Sequence, residues 1–238
     1  RAARSHRITH YRRALANSVP EARDLFFWRC AHGVTVGQQN RGQPMSTQPK
    51  PHYSFEDYLA AERDCIDAKH EYVAGQVFAM TGATYHHNLI TTNVVSELRQ
   101  QLKSRPCIAL SSDMRLRIQA ADACLYPDIV VLCDKPVFHD ERNDVLTDAT
   151  LVAEVLSPST EGYDRGGKFA LYRGLPGLRQ YLLIAQDRLA MDLFTRQADG
   201  RWVLDAYTDM DTSIRLESID CTLRLEEVYD KVDFGAMA

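Results

Sequence analysis

The apolar positions of the chain change period several times, and each change predicts an element. Phe55, Tyr58, Leu59 and Ile66 recur roughly at helical spacing behind Ser54, a candidate N-cap with Asp57 three residues later. Residues 52–69 therefore read as an amphipathic helix with an acidic variant of the capping box. The stretch from Glu71 to Met80, EYVAGQVFAM, reads as two short strands turning at Ala74-Gly75. Ile90, Val94, Leu98 and Leu102 fall at intervals of four and define one face of a long helix over 85–103. The period then drops to two. Ile108 to Ser111 predicts a short strand, and Met114, Leu116 and Ile118 alternate with Arg115, Arg117 and Gln119 as a half-exposed one. Cys124 to Cys133 is apolar enough for one buried strand, apart from Asp128.

Residues 134–149 are polar and read as a loop. Leu151 to Leu156 is a buried strand interrupted by a single carboxylate, Glu154. A turn-rich loop from Ser157 to Tyr163 leads into a helix over Asp164 to Leu175, with Lys168 near its start. Gln180 to Ala185 and Ala190 to Thr195 read as paired strands, Trp202 to Tyr207 and Ile214 to Leu216 as further strands, and Leu225 to Val232 as a terminal helix. Tyr172, Tyr181, Phe194 and Trp202 fall at core-like spacings and are expected to pack together. The order of helix, hairpin, helix, strands, helix and strands is that of an α/β (α+β mixed) fold, with a central mixed β-sheet flanked by helices.

The charge distribution divides the chain. Residues 1–44 hold eight Arg, no Lys, one Glu and one Asp, so they carry +6 while the whole chain carries -4. Without a sustained apolar period, and followed by Met45-Ser-Thr-Gln, residues 1–44 are expected to be an extension outside the fold. Residues 45–238 are expected to form a single domain. No apolar run approaches the ~18 residues that cross a bilayer, so no membrane partner is expected. The six cysteines are scattered, with no Cys-x-x-Cys pair, and several sit in apolar runs as buried thiols do. That pattern favours unpaired cysteines and a reducing cytoplasm over a disulfide framework or a zinc site.

Two acids stand in apolar strands: Glu154, and Asp128 within Tyr126-Pro-Asp-Ile-Val-Val-Leu132. A carboxylate there costs several kcal/mol unless something pairs with it. Alternation places Tyr126, Asp128 and Val130 on one face of their strand, and Val152, Glu154 and Leu156 on one face of theirs. Side by side, these strands would bring both carboxylates to a common edge. There they repel unless they share a proton, meet a basic group such as Lys168, or hold a hard cation; oxygen ligands with room for water suit Mg²⁺ or Mn²⁺. Taken singly, Asp128 after Pro127 also fits a turn, and Glu154 also fits a structural ion pair. Gly162-Tyr-Asp-Arg-Gly-Gly-Lys168 imitates a phosphate-binding loop, but Phe169 stands where Ser or Thr is needed to hold Mg²⁺. His86 and His87 are adjacent on a helix, about 100° apart, so at most one faces a site.

Tyr126-Pro127-Asp128, Glu154-Val-Leu-Ser-Pro-Ser159, and Asp164 and Lys168 with Tyr172 together resemble the PD-(D/E)XK nuclease superfamily. Within it they resemble the restriction-endonuclease-like proteins of the Uma-two family, from about Tyr53 to Phe234 and including His70-Glu71-Tyr72-Val-Ala-Gly75 and His87. The resemblance implies a restriction-endonuclease-like core and metal-dependent hydrolysis of DNA phosphodiester bonds. It assigns Asp128 and Glu154 to a divalent cation, Mg²⁺ or Mn²⁺, with the Val155 carbonyl as a further ligand. Lys168 would orient or help deprotonate the attacking water, Glu71 would be an additional acid, and His87 would contact phosphate or shuttle a proton. The superfamily's usual lysine position, two residues after the glutamate, holds Leu156, so the charge has to come from the following helix. Fold-level analogy adds a homodimer. The rival expectation is a catalytically inactive nuclease-fold module for binding or oligomerisation, favoured by the acidic body, since phosphate affinity comes mainly from Lys and Arg.

Overall fold

The Ser54 hydroxyl accepts from the Asp57 N–H at 3.1 Å and donates to Asp57 Oδ2 at 2.7 Å, which fixes the start of helix α1 (Phe55–Asp64). The computed structural model describes residues 52–236, so the 1–44 extension lies outside the described residues. Phe55, Tyr58 and Leu59 are buried as their spacing predicts, but the helix stops at Asp64 and leaves Ile66 exposed. Strands β1 (His70–Val73) and β2 (Gln76–Ala79) pair antiparallel, with Tyr72 opposite Val77. Between them Ala74 (φ 48°) and Gly75 (φ 83°) are both left-handed, as a two-residue type I′ hairpin turn requires. With residues 121–124, these elements form one compact unit. Inside it the Tyr58 and Tyr72 rings stack at 5.2 Å, and buried Glu62 accepts the His70 N–H at 2.8 Å.

The second unit comprises residues 82–120 and those from 125 onward. Helix α2 (Tyr85–Gln101) begins at Thr84, whose hydroxyl accepts from the His87 N–H at 3.2 Å. Strands β3 (Ile108–Ser111), β4 (Arg115–Ile118), β5 (Ala123–Leu125, whose first two residues belong to the first unit), β6 (Ile129–Leu132), β7 (Val145–Leu146) and β8 (Leu151–Leu156) follow along the chain. A π-helical turn, Tyr163–Lys168, runs into the short helix α3 (Phe169–Tyr172). Then come β9 (Gln180–Ala185), β10 (Met191–Arg196), β11 (Trp202–Tyr207), the hairpin of β12 (Ser213–Leu216) and β13 (Cys221–Arg224), and helix α4 (Leu225–Val228). The main sheet has six strands in the order β11-β10-β9-β8-β6-β3. It is mixed: β8 and β9 are parallel and the other neighbours antiparallel.

One face of this sheet holds Ile129, Val131, Ala153, Val155, Leu182 and Ile184, which join Ile90, Val94 and Leu98 of α2 in the core. Each fully buried Leu or Ile there contributes about 1.5–3 kcal/mol relative to exposure. Beyond α3, Phe169 stacks on Tyr181 at 5.2 Å and meets Phe194 at 4.4 Å and Trp202 edge-on at 5.2 Å, the packing role expected of these aromatics. Among the described residues no helix is long and apolar enough to cross a membrane.

Four expectations need correction. Residues 134–149 are not all loop, since β7 forms there and pairs parallel with β4. Cys124 to Cys133 is two strands, because Pro127 has no N–H to offer a ladder and the chain breaks at Pro127-Asp128 between β5 and β6. The helix expected over Asp164 to Leu175 is a π-helical turn containing Gly166-Gly167, followed by one α-turn that ends at Tyr172. Cys107 and Cys133 are joined in a disulfide. Although 26 residues apart, they directly flank the antiparallel pair Ile108↔Leu132, so the β3–β6 register sets them opposite each other. The cysteine pattern thus loses its force as an argument for a reducing compartment. Cys124 and Cys221 are free and buried.

Candidate active site

The β6–β8 register pairs Ile129 with Ala153, so the next residue along places Asp128 opposite Glu154. This is the common edge that alternation predicts, and the break at Pro127 leaves Asp128 at the mouth of β6 instead of inside a ladder. Two main-chain donors cross between the strands. The Asp128 N–H donates to Glu154 Oε2 at 3.3 Å, and the Val155 N–H donates to Asp128 Oδ2 at 2.8 Å. Because the N–H and C=O of one strand residue face the same side, the Val155 carbonyl opens toward the Asp128 edge. The Leu156 carbonyl faces the other way, accepting from the Gln186 N–H at 3.4 Å.

Glu154 is 2% exposed, and its burial is offset by donors. Lys168 Nζ lies 3.2 Å from Oε1 and the Tyr172 hydroxyl donates to the same oxygen at 2.8 Å. Lys168 and Tyr172 are four residues apart, one above the other on the turn that packs over the sheet. Lys168 also lies 3.6 Å from Asp164 Oδ1, so this buried ammonium is shared by two buried carboxyl groups. Burial raises the Asp164 carboxyl above its ordinary value, with nearby Asp128 adding to the rise, although Lys168 and the Thr160 hydroxyl pull it down. Tyr181 donates its hydroxyl to the Asp164 carbonyl at 3.0 Å, and burial beside Glu154 and Asp164 pushes its phenol well above 10.

Asp128 differs. Burial opposes its ionisation, yet the His87 hydrogen bond, the positive charges of His87 and Lys168 and the Val155 N–H together hold its carboxyl below the ordinary range. His87 Nε2 sits 3.1 Å from Asp128 Oδ2, delivered from the first turn of α2, while His86 lies against the Tyr85 ring at 5.9 Å. One of the two histidines faces the site, as their angular separation requires. Asp128 Oδ1 accepts from none of the described residues. Among the described residues no cluster of three or more His, Cys, Asp or Glu is gathered for a metal. Asp128, Glu154 and the Val155 carbonyl would offer two carboxylates and one strand carbonyl, a set that suits a hard cation keeping several waters. Glu71, the remaining candidate, is buried on β1 in the first compact unit, paired with Phe78.

A family model described as "Putative restriction endonuclease" (Uma2) matches residues 55–226. The chain belongs to the Uma2 family. Relatives of this Uma2 chain include the uncharacterized protein slr1290 of Synechocystis sp., 35% identical over 187 residues, which are 78% of this chain and 96% of that protein. A second, the uncharacterized protein sll1609 of the same organism, is 34% identical over 148 residues, 62% of this chain and 83% of that one. Among solved structures, a "putative nuclease belonging to DUF820" from Anabaena variabilis aligns with TM-score 0.58 at 18% identity, covering 68% of this chain and 89% of the other. At that identity the likeness establishes the nuclease fold.

In this Uma2 chain Gln186 adds a contact that periodicity does not single out. The Thr84 hydroxyl donates to Gln186 Oε1, linking the cap of α2 to the end of β9. Gln186 Nε2 and His87 Nδ1 are buried with no hydrogen-bond partner among the described residues. A glutamine closing an apolar strand carries no periodic signal. Thr84 was findable as the N-cap of the long helix, and Tyr172 as the position one turn beyond Lys168.

Proposed function

We propose that residues 45–238 act as one metal-dependent endonuclease domain that hydrolyses DNA phosphodiester bonds. The observation that carries this reading is the Asp128–Glu154 pair at the mouth of two adjacent strands, with Asp128 favoured in its ionised form. In this reading Asp128 and Glu154 would hold Mg²⁺ or Mn²⁺ together with the Val155 carbonyl. Such an ion supplies Lewis acidity to a bound water and to the scissile phosphate.

The remaining work falls to the chain. Lys168, held by Glu154 and Asp164, orients the attacking water and offsets phosphate charge; its reach from a helix replaces the lysine missing at Leu156. Tyr172 helps to fix the Glu154 carboxylate by donating to Oε1. His87, with Nε2 on Asp128, contacts phosphate or shuttles a proton. General acid–base assistance of this kind is worth about 10²–10⁴ in rate.

One observation favours the second reading, an inactive binding module: Lys168 and Tyr172 already satisfy Glu154 Oε1, so the carboxylate is stable without a cation. Supercoiled plasmid separates the two. Nicking by the purified protein in Mg²⁺ or Mn²⁺, abolished by EDTA and by Asp128→Ala or Glu154→Ala in variants that remain folded, supports the nuclease. Plasmid binding without cleavage in either ion supports the module, and cleavage unchanged in both variants removes the site assignment.

A further inference from the structure

We infer that the free edge of β11 is a docking surface for a second copy of this chain, joined through an antiparallel pair of β11 strands. β11 ends the six-stranded sheet, and none of the described residues pairs with its outer side. Such an edge is a template for another strand unless a proline, a bulge or a lysine guards it. Trp202 to Tyr207 contains neither Pro nor Lys, and its register with β10 is one-to-one over all six residues, so there is no bulge. Val203 and Leu204 are 45% and 49% exposed on opposite faces of the strand. Both are apolar surface on an open ladder.

The hydrogen-bond phase limits the registers available. In the hairpin turn the Gln197 N–H donates to the Arg201 carbonyl at 2.7 Å, so Arg201 directs its main chain toward β10. By alternation Val203, Asp205 and Tyr207 do the same, and Trp202, Leu204 and Ala206 direct theirs outward. A symmetric antiparallel partner must therefore pair outward residues with outward residues. Pairing Trp202 with Leu204 of the second copy meets this condition, with Val203 on the two-fold axis. That register also sets Arg201 opposite Asp205 in a non-hydrogen-bonded pair, where side chains stand closest. The interface is then self-complementary: two Arg201–Asp205 pairs flank Val203 on one face, and Trp202 covers the second copy's Leu204 on the other. The neighbouring register, Leu204 on Leu204, sets Arg201 against Tyr207 and gains no charge pair. Arg201 already touches Asp199 at 2.6 Å but is 82% exposed, so its guanidinium is within reach of a partner. The occupant is a second copy and not an unrelated strand, because both halves of each charge pair come from this one sequence.

Sedimentation velocity of the full chain across micromolar to hundreds-of-micromolar concentrations tests the inference, with plasmid cleavage irrelevant to the outcome. The wild type is expected to pass from monomer to dimer in that range. Leu204→Pro is expected to abolish the dimer while leaving the β10 ladder intact, because the lost N–H points outward. Arg201→Asp and Asp205→Arg, each placing like charges opposite one another twice, are expected to weaken the dimer about tenfold or more, and the double reversal to restore it to within a few-fold. Circular dichroism confirms that each variant is folded. A wild type that stays monomeric throughout overturns the proposal. So does a dimer indifferent to Leu204→Pro, or one that the double reversal fails to restore.

Discussion

The Val155 N–H donates to Asp128 Oδ2 at 2.8 Å, so a side chain of one strand fills the ladder position that the neighbouring strand leaves empty. Burial raises the Asp128 carboxyl, but the His87 hydrogen bond and charge, the Lys168 charge and this N–H together hold it below its ordinary value. A carboxyl depressed in the folded state stabilises the fold above its unfolded value, near ~3.9, and that contribution disappears as pH falls through the depressed value. Asp128→Asn cannot ionise. In metal-free protein, the melting temperature of wild type minus that of Asp128→Asn is therefore expected to be positive near neutrality and to shrink below about pH 4. A difference that is flat from neutral to acid pH would contradict the assignment.

Lys168 is 7% exposed between Glu154 and Asp164. Lys168→Met is expected to leave buried carboxyl groups without their cation and to cost about 3–5 kcal/mol, the usual result of breaking one side of a buried pair. Because Asp164 already has a raised carboxyl pKa, it takes up a proton readily and relieves part of the loss. The loss should therefore be larger at neutral pH than near pH 5. Adding Glu154→Gln to Lys168→Met should cost less than the sum of the two single changes. Chemical denaturation of the four proteins in this cycle measures the coupling, and additivity would place the Lys168 charge elsewhere.

Much of this arrangement is legible along the chain. Four apolar residues at intervals of four identify α2, and all of its stripe from Ile90 to Leu98 is buried. The two acids in apolar strands announce a shared edge, and the β6–β8 register places them opposite one another. What escapes is whatever depends on register between distant segments. Cys107 and Cys133 become neighbours only when β3 lies antiparallel to β6, and nothing near either cysteine encodes that pairing. The break at Pro127-Asp128 was visible in the proline but masked by the apolar residues on both sides. The π-helical turn escapes because helical periodicity is a property of longer segments than Tyr163–Lys168. Gln186 escapes for a different reason: its role is one hydrogen bond from Thr84, 102 residues away in sequence.

Tyr172→Phe removes one hydroxyl with little change in volume. Its ring stays against Tyr181, 5.5 Å away, while Glu154 Oε1 loses the donor at 2.8 Å. Hydrogen bonds to charged groups are worth about 1.5–3 kcal/mol, so a loss of that size is expected in urea unfolding. If Glu154 holds the cation, the same variant is also expected to shift the Mg²⁺ concentration needed for half-maximal nicking, with the maximal rate changing less. An unchanged urea midpoint would mean that the hydroxyl is solvated and not bonded to Glu154.

The disulfide gives a prediction independent of any activity. Cys107 and Cys133 close a loop of 26 residues between neighbouring strands of the main sheet. Removing a cross-link of that span costs about 2–4 kcal/mol, chiefly because the unfolded chain regains freedom. Cys107→Ser is therefore expected to lower the melting temperature, and dithiothreitol to lower that of the wild type by more than that of the variant, the disulfide at Cys65 being reduced in both. Alkylation followed by mass spectrometry supplies the direct check: in non-reducing denaturant Cys124 and Cys221 should be modified, while Cys107 and Cys133 stay linked until reductant is added. Modification of Cys107 without reductant would remove the cross-link, and the Ile108↔Leu132 pair would then hold the β3 edge by main-chain bonds and packing alone.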